Sequence, residues 1–175
     1  MARIRKFVAY RRIERPYTKT SKFKKKSYIR ITPNINVVRF DGGNLKKKFQ
    51  YTISLSAKSD LQIRDNALES ARQTSTKLLE ANLGPTGFHI KIKVYPFHVL
   101  RENPLAAGAG ADRFSTGMQR AFGKPIGNAA RITKGQTVFE VSVDKANIDL
   151  AKKAIERASK KLPCSYSIQI AENKL

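Results

Sequence analysis

Alternating hydrophobic and polar positions predict several strands in the first half of the chain. INVVRF (35–40) and FQYTISLSA (49–57) carry apolar residues at every second position, which is typical of strands with one buried face. The intervening DGGNLKKK (41–48) predicts a turn, and LQI (61–63) extends the strand system. FHIKIKVYP (88–96) alternates again. Its predicted core face holds Phe88, Ile90, Ile92 and Val94, and its opposite face holds His89, Lys91, Lys93 and Tyr95.

The second half of the chain predicts three further strands. AARIT (129–133) and QTVFEVSV (136–143) are separated by a Lys-Gly turn, and we interpret them as a hairpin. SYSIQIAE (165–172) closes the chain as a strand.

Two segments have the three-to-four spacing of amphipathic helices. The first begins at Asp65, a candidate N-cap, and ends at Gly84 and Pro85; its inner face is Leu68, Ala71, Ser75, Leu78 and Leu79. The second begins after Asn147, another candidate cap, and ends before Pro163. Its predicted inner face is Ile148, Ala151, Ala154, Ile155, Ala158 and Leu162.

In chain order these elements predict an α+β fold. We expect a two-layer sandwich, with two helices on one mostly antiparallel sheet and no internal repeat. The length of 175 residues suits one domain with an appendage. We therefore predict a basic extension over residues 1–34 and a single domain over 35–175, with a long protruding loop at 102–112.

Charge points to a polyanionic partner. The chain has 35 Lys and Arg against 13 Asp and Glu, a net charge of +22, and residues 1–50 alone carry +14. A membrane is disfavoured, since no apolar run approaches the roughly 18 residues of a spanning helix and no signal-peptide stretch opens the chain. We expect a soluble, intracellular, nucleic-acid-binding protein. A single cysteine, Cys164, fits a reducing compartment.

Aromatic residues are interleaved with the cations of the first thirty residues. The segment RIRKFVAYRRIERPYTKTSKFKKKSYIR contains four aromatic residues among its cations: Tyr10, Tyr17, Phe23 and Tyr28. The rings would stack on bases while the cations contact phosphates. The alternative is a disordered basic tail, which most charge runs are. Both interpretations hold if the tail is disordered in the free protein and becomes ordered when it binds RNA.

The segment RENPLAAGAGADRFSTG (101–117) has too little apolar bulk for a core and too many small residues for an ordinary hairpin. Glycine lets a backbone approach another polymer closely, and bare N–H groups can then reach phosphates. Arginines and lysines that fork onto phosphates or guanine edges flank it: Arg101, Arg113, Arg120, Lys124 and Arg131. This composition predicts a finger that enters an RNA crevice.

Catalytic motifs are not found. His89 and His98 lie nine residues apart and form no metal-ligand pattern. GMQRAFGKP has Met118 and Pro125 where a phosphate loop needs a glycine and a hydroxyl, and GAGADR lacks the third glycine of a dinucleotide fingerprint. Glu102 and Asp112 lie among arginines, so we expect them to fix the loop through ion pairs. The chain is predicted not to be an enzyme and to need no cofactor, metal or small-molecule substrate.

Residues 88–139 resemble a known signature. PFHVLREN, GAGADR, GM and AFGKPIG follow in one order and spacing, as in the large-subunit ribosomal protein family whose bacterial members are called L-sixteen and whose archaeal and eukaryotic members are called L-ten-e. The resemblance extends upstream through SLSAKSDLQIRDNALESARQ, to RPYT at 15–18, and downstream to the end of the chain. It is weakest over residues 1–48, where this sequence becomes lysine-rich.

The resemblance implies an α/β-hammerhead type of α+β fold and a structural role in the cytoplasmic large ribosomal subunit. It implies binding to large-subunit rRNA near the aminoacyl-tRNA site, with tRNA and neighbouring ribosomal proteins close by. The loop matching 102–112 would point toward the peptidyl-transferase centre. By motif match that loop includes Arg101, Glu102, Asn103, Gly108, Gly110, Asp112 and Arg113, and a second RNA-facing turn includes Gly123, Lys124 and Gly127.

Charge and resemblance together give the predicted RNA-binding set. Its members are Arg3, Arg5, Lys6, Arg11, Arg12, Arg15, Tyr17, Lys24, Lys25, Lys26, Lys46, Lys47, Lys48, Lys91, Lys93, Arg101, Arg113, Arg120, Lys124 and Arg131, with Gly123 and Gly127 as close-approach glycines. Two other functions stay open at this point: a free-standing RNA chaperone or single-strand binder, and an RNA-modifying enzyme. The second lacks any visible nucleophile, metal set or cofactor loop.

Overall fold

A computed structural model describes residues 5–13, 29, 31–110, 113, 115, 117–118 and 121–173. Within them are two α-helices, α1 (Asp65–Leu83) and α2 (Ile148–Ser159). The strands of the described residues are β1 (Asp41–Gly43), β2 (Tyr51–Ala57), β3 (Leu61–Arg64), β4 (His89–Ile92), β5 (His98–Glu102), β6 (Lys124–Ile132), β7 (Thr137–Val143) and β8 (Tyr166–Glu172). Short 3-10 turns cover Phe7–Ala9 and Lys145–Asn147.

The described strands form two antiparallel sheets. The larger has five strands in the order β1-β4-β7-β2-β8, and the smaller has three in the order β3-β6-β5. Two helices with antiparallel sheets confirm the predicted α+β class. The prediction of a single sheet was wrong, because β3, β5 and β6 separate from the other strands.

The predicted hairpin of AARIT and QTVFEVSV is also wrong. The chain does reverse there, with Gly135 at φ +82° and its N–H donating to the Ala57 carbonyl at 2.8 Å. However, β6 pairs with β3 and β5, whereas β7 pairs with β2 and β4. The turn therefore carries the chain from the three-stranded sheet to the five-stranded sheet.

Residues 35–40 run beside α1 and form no strand. The N–H of Asn36 donates to Asp65 Oδ2 at 3.1 Å, and the N–H of Val38 donates to Glu69 Oε2 at 3.2 Å. These buried carboxylates replace the carbonyl acceptors that a neighbouring strand would supply, so the strand prediction was wrong. Asp65 is the first residue of α1 rather than its N-cap, and its carboxylate serves this segment.

The helices bury the faces that their spacing predicted. Leu68, Ala71, Ser75 and Leu79 of α1 are buried, and Gly84 ends the helix at φ +70° with its N–H on the Glu80 carbonyl. The buried positions of α2 are Ala151, Ala154, Ile155 and Ala158, with Leu162 buried just beyond it. Helix α2 packs on the five-stranded sheet against β2, β7 and β8, whereas α1 packs beside α2 and against β3 and β6 of the three-stranded sheet. Both helices contribute to one core that includes Ile53, Phe139 and Val141. No helix of the described residues has the length and apolarity to cross a membrane.

Candidate nucleic-acid interface

Residues 5–13 pack along the three-stranded sheet. The N–H of Gln62 in β3 donates to the Arg11 carbonyl at 3.1 Å, and its side-chain amide donates to the carbonyls of Tyr10 at 3.0 Å and Arg12 at 2.6 Å. From β6, Arg131 donates to the Ile13 carbonyl at 3.3 Å. The side chains of Lys6, Arg11 and Arg12 are exposed while the backbone beside them is held in place.

Tyr10 is not available for base stacking. Its side chain is buried with Leu100 and Ala129 in a small apolar cluster separate from the main core. Its hydroxyl accepts from the N–H of Arg5 at 3.3 Å and donates to Glu102 Oε2 at 3.2 Å, and burial raises the pKa of that hydroxyl. The prediction that Tyr10 stacks on bases is therefore corrected: the ring attaches the amino-terminal segment to the sheet.

Glu102 connects the end of β5 to the amino-terminal segment. One carboxylate oxygen pairs with the Arg5 guanidinium and the other receives the Tyr10 hydroxyl. The Glu102 side chain is only 12% exposed, whereas that of Arg5 is 61% exposed. The ion pair predicted for Glu102 is confirmed. Arg5 is thus occupied in part by a contact within the protein.

Arg101 joins the two limbs of the loop. Its guanidinium lies 3.7 Å from the centre of the Phe122 ring and donates to the Phe122 carbonyl at 2.9 Å. The next residue, Gly123, has φ +83°, and a Cβ there would lie 2.8 Å from the carbonyl carbon of Glu102. The close approach made by Gly123 is therefore to the opposite limb of its own loop.

Beyond this junction the loop lies open. Residues 104–110 are exposed and carry no regular secondary structure. Gly108 and Gly110 have φ of +116° and +73°, in the region that favours glycine. Among the described residues, the N–H of Ala106 donates to Ser115 Oγ at 3.1 Å and the N–H of Arg113 donates to the Gly110 carbonyl at 3.1 Å. The described part of the loop contributes almost nothing to a core.

Beneath the loop, His98 is buried in β5 and its Nδ1 is hydrogen-bonded to the Gln62 side chain. Burial, together with the nearby charges of Arg131 and Arg101, lowers the pKa of His98 to about 4. The imidazole is therefore neutral at pH 7. A cavity of about 370 Å³ lies at this junction, lined in part by Tyr10, His98, Arg101 and Phe122.

Several predicted cations of the body are paired with acids. Lys47 contacts Asp144 at 2.6 Å. On β4, Lys91 lies 3.5 Å from Asp41, and just past the strand Lys93 lies 3.0 Å from Glu140. His89 also contacts Asp41, at 3.3 Å. This side of the five-stranded sheet consequently has less cationic character than the sequence suggested.

Other predicted residues fall in different settings. Lys46, Lys48, Arg113 and Lys124 are exposed, and Asn103 is half-buried at the start of the loop. Gly127 is buried in β6 opposite Leu100, so it belongs to a sheet and not to the predicted second turn. Eight predicted residues lie outside the described part of the chain: Arg3, Arg15, Tyr17, Lys24, Lys25, Lys26, Asp112 and Arg120.

Sequence reasoning missed a row of cations on α2. Five side chains on its outer side and just past its end are exposed: Lys152, Lys153, Arg157, Lys160 and Lys161. The same three-to-four spacing that revealed the buried face implies this opposite face, so the signal was present. Among the described residues, no group of three or more His, Cys, Asp or Glu side chains is arranged to hold a metal ion.

A net charge of +22, with exposed cations around a loop poor in side chains, is typical of proteins that associate with nucleic acid. Comparison with known proteins then gives the family. The model of the family described as ribosomal protein L16p/L10e matches residues 14–169, and the chain belongs to that family. Membership confirms the predicted class: a structural, non-enzymatic protein of the ribosome in the cytoplasm.

Curated relatives agree over nearly the whole length. The chain is 42% identical over 161 residues to the large ribosomal subunit protein uL16 of Archaeoglobus fulgidus, covering 92% of this chain and 89% of the relative. It is 42% identical over 165 residues to uL16 of Methanococcus maripaludis, covering 94% and 92%. The uL16 protein of Methanocella arvoryzae is 43% identical over 148 residues, covering 85% and 86%.

Proposed function

We propose that this chain binds large-subunit rRNA in the large ribosomal subunit and helps to shape the aminoacyl-tRNA site. The loop over 102–112 extends toward the peptidyl-transferase centre. The family and the names of the relatives support assembly into the large subunit. The net charge of +22 supports RNA as the direct partner, because a polyanion relieves the self-repulsion of such a surface.

The observation that carries the proposal is the construction of the loop base. Arg101 on Phe122, Gly123 against Glu102, and the Arg5–Glu102–Tyr10 contacts bring β5, β6 and the amino-terminal segment together. A well-packed base fixes the direction of the exposed loop, so the loop can reach a narrow RNA site although its own side chains make few contacts. This arrangement suits a segment that approaches tRNA without obstructing it.

RNA contacts surround this base. Lys6, Arg11 and Arg12 present exposed cations from a backbone fixed on β3, and Lys124 begins β6 beside the loop. Lys46 and Lys48 add exposed cations after β1. Such side chains meet phosphates and position the protein, while RNA supplies the chemistry of peptide transfer.

The α/β-hammerhead assignment and the division at residue 34 are parts of the same proposal. The hammerhead assignment is supported by two antiparallel sheets, one packed against α2 and the other against α1. For the second, residues 5–13 are attached to the domain by Gln62 and Glu102, so the extension has a docked portion.

Sedimentation of the tagged chain at physiological salt tests the function. We expect nearly all of the protein in large-subunit and monosome fractions, and its release from rRNA when high salt weakens its phosphate contacts. A free-standing RNA chaperone would instead spread through light fractions and follow total RNA. That distribution would contradict the proposal.

A further inference from the structure

The outer face of α2 carries a charge that its neighbours do not neutralise. Five cations are exposed there (Lys152, Lys153, Arg157, Lys160 and Lys161), against two exposed acids, Asp149 and Glu156. None of the five cations has an acidic partner within the described part of the chain, whereas Lys47, Lys91 and Lys93 all do. The cations at and beside β4 are thus paired with acids, whereas those on the outer face of α2 are not.

The second helix of the same layer makes this contrast sharper. The exposed side of α1 carries one cation, Lys77, and one acid, Glu80, and the largely buried Arg72 is paired with Glu69 at 2.6 Å. The hydrogen bonds from Arg72 lower the pKa of Glu69, so this pair is charged at pH 7. Two helices packed side by side therefore present outer faces of different charge.

The position of α2 separates it from the loop. It packs against α1, β2, β7 and β8, while α1 reaches the three-stranded sheet through β3 and β6. The cations from Lys152 to Lys161 span about 13 Å along the helix axis at about 1.5 Å per residue, and at about 3.6 residues per turn they cover roughly half of the helix circumference. A patch of that length suits several phosphates of one RNA segment, and lysine and arginine bind phosphate without needing a pocket.

We propose that the outer face of α2, through Lys152, Lys153, Arg157, Lys160 and Lys161, binds a second RNA segment distinct from the one met by the loop and residues 5–13. The protein then bridges two RNA elements through opposite parts of its fold. This inference rests on the proposed function, since it takes RNA binding in the large subunit as given.

The native cysteine provides a direct test. Cys164 is exposed and lies three residues beyond Lys161, at most about 10 Å away along the chain. Iron-EDTA tethered there, in protein assembled into large-subunit particles, cleaves RNA near the end of α2. A second probe, at Ala107→Cys in a Cys164→Ser background, reports RNA near the loop.

We expect the two probes to cleave non-overlapping RNA segments. Replacing the five α2 cations by glutamine should lower cleavage from Cys164 at least fivefold and leave cleavage from position 107 unchanged. The matched control, Asp149→Asn with Glu156→Gln on the same face, should retain both sets. Circular dichroism melting of each variant verifies that exposed substitutions leave the fold intact.

Three outcomes overturn parts of this account in distinguishable ways. Cleavage from position 107 without cleavage from Cys164 rejects the second RNA segment, favours solvent or a protein neighbour, and leaves the proposed function standing. Cleavage from Cys164 that survives the five substitutions rejects binding by those cations. Absence of cleavage from both probes in assembled particles rejects the proposed function itself.

Discussion

The two faces of the three-stranded sheet are stabilised in different ways. Its inner face, with Ile63 and Ile132, belongs to the continuous apolar core that the helices and the five-stranded sheet also form, where Phe139 and Ile155 are almost fully buried. The outer side of the three-stranded sheet has only the cluster of Tyr10, Leu100 and Ala129, and depends on polar contacts from Gln62 and Glu102 to hold residues 5–13.

This difference separates the residues that stabilise the fold from those that contact RNA. An apolar core is stabilised by area removed from water and needs no partner. A junction held by polar contacts contributes less to the stability of the free protein, and it is stabilised further when RNA phosphates neutralise its cations. We therefore expect substitutions in the main apolar core to lower the free energy of unfolding. We expect substitutions around the loop to lower the performance of assembled ribosomal particles more than they lower stability.

The largest effect should follow Phe139→Ala in the main core. Removing a fully buried ring loses its transfer free energy and leaves a cavity, and we expect a loss of about 3–5 kcal/mol in the free energy of unfolding. The comparison is Leu100→Ala in the small cluster, where about 2 kcal/mol is expected. Urea denaturation measures both. Equal losses would show that the two regions are stabilised alike.

Acidification should act next, through His98. Since its pKa falls from 6.5 to about 4 on folding, the unfolded chain binds the proton first and stability is lost as the pH falls below 6.5. Between pH 6.5 and 5 the loss attributable to this group is about 2 kcal/mol. Urea denaturation at the two pH values should give a shallower dependence for His98→Gln. The same dependence in both proteins would rule out His98 as its source.

Gly84→Val should have a moderate effect on the body. With φ +70° and ψ 177°, Gly84 occupies a region nearly exclusive to glycine, although a Cβ there would meet no atom within 4 Å. The cost is therefore conformational, about 1–2 kcal/mol. Melting temperature reports it, and Gly84→Ala serves as the control for side-chain branching. Unchanged melting of both variants would contradict the strain assigned to this position.

Arg101→Ser should cost about 1 kcal/mol of stability, by removing the contact with the Phe122 ring and a hydrogen bond. Arg101→Lys keeps the charge without the planar group and should recover little of the loss. Both variants should lower the share of ribosomes in polysomes by more than their melting temperatures suggest. Full recovery by lysine would show that charge alone matters at this position.

The sequence predicted best what depends on periodicity. Alternation placed Phe88, Ile90 and Ile92 in the core, and three-to-four spacing gave the inner faces of both helices. It could not show that residues 35–40 would bond to the carboxylates of Asp65 and Glu69, because that pairing depends on tertiary contact. The pairing of β6 with β7 was wrongly predicted for the same reason, since a short turn does not reveal which sheet each strand joins.

The candidate site was predicted in composition more than in geometry. The loop, its arginines and the ion pair of Glu102 followed from residue types. Sequence alone could not show that Tyr10 would be buried, or that Lys91 and Lys93 would be paired with acids. A deletion of residues 1–30 would also remove the buried Tyr10 and Ile29 from the domain. Charge substitutions at Arg11 and Arg12 test that region more cleanly.

The smallest effect on stability, and the most direct test of the central claim, should come from replacing residues 103–110 with a short Gly-Ser turn. Residues 104–110 are exposed and pack against no core, so melting and entry into the large subunit should be unchanged. Polysome profiles measured beside melting temperatures should nevertheless show a late defect, with large subunits present but fewer of them in polysomes. A normal profile with normal melting would show that the loop has no role near the tRNA site, and loss of folding would show that it belongs to the core.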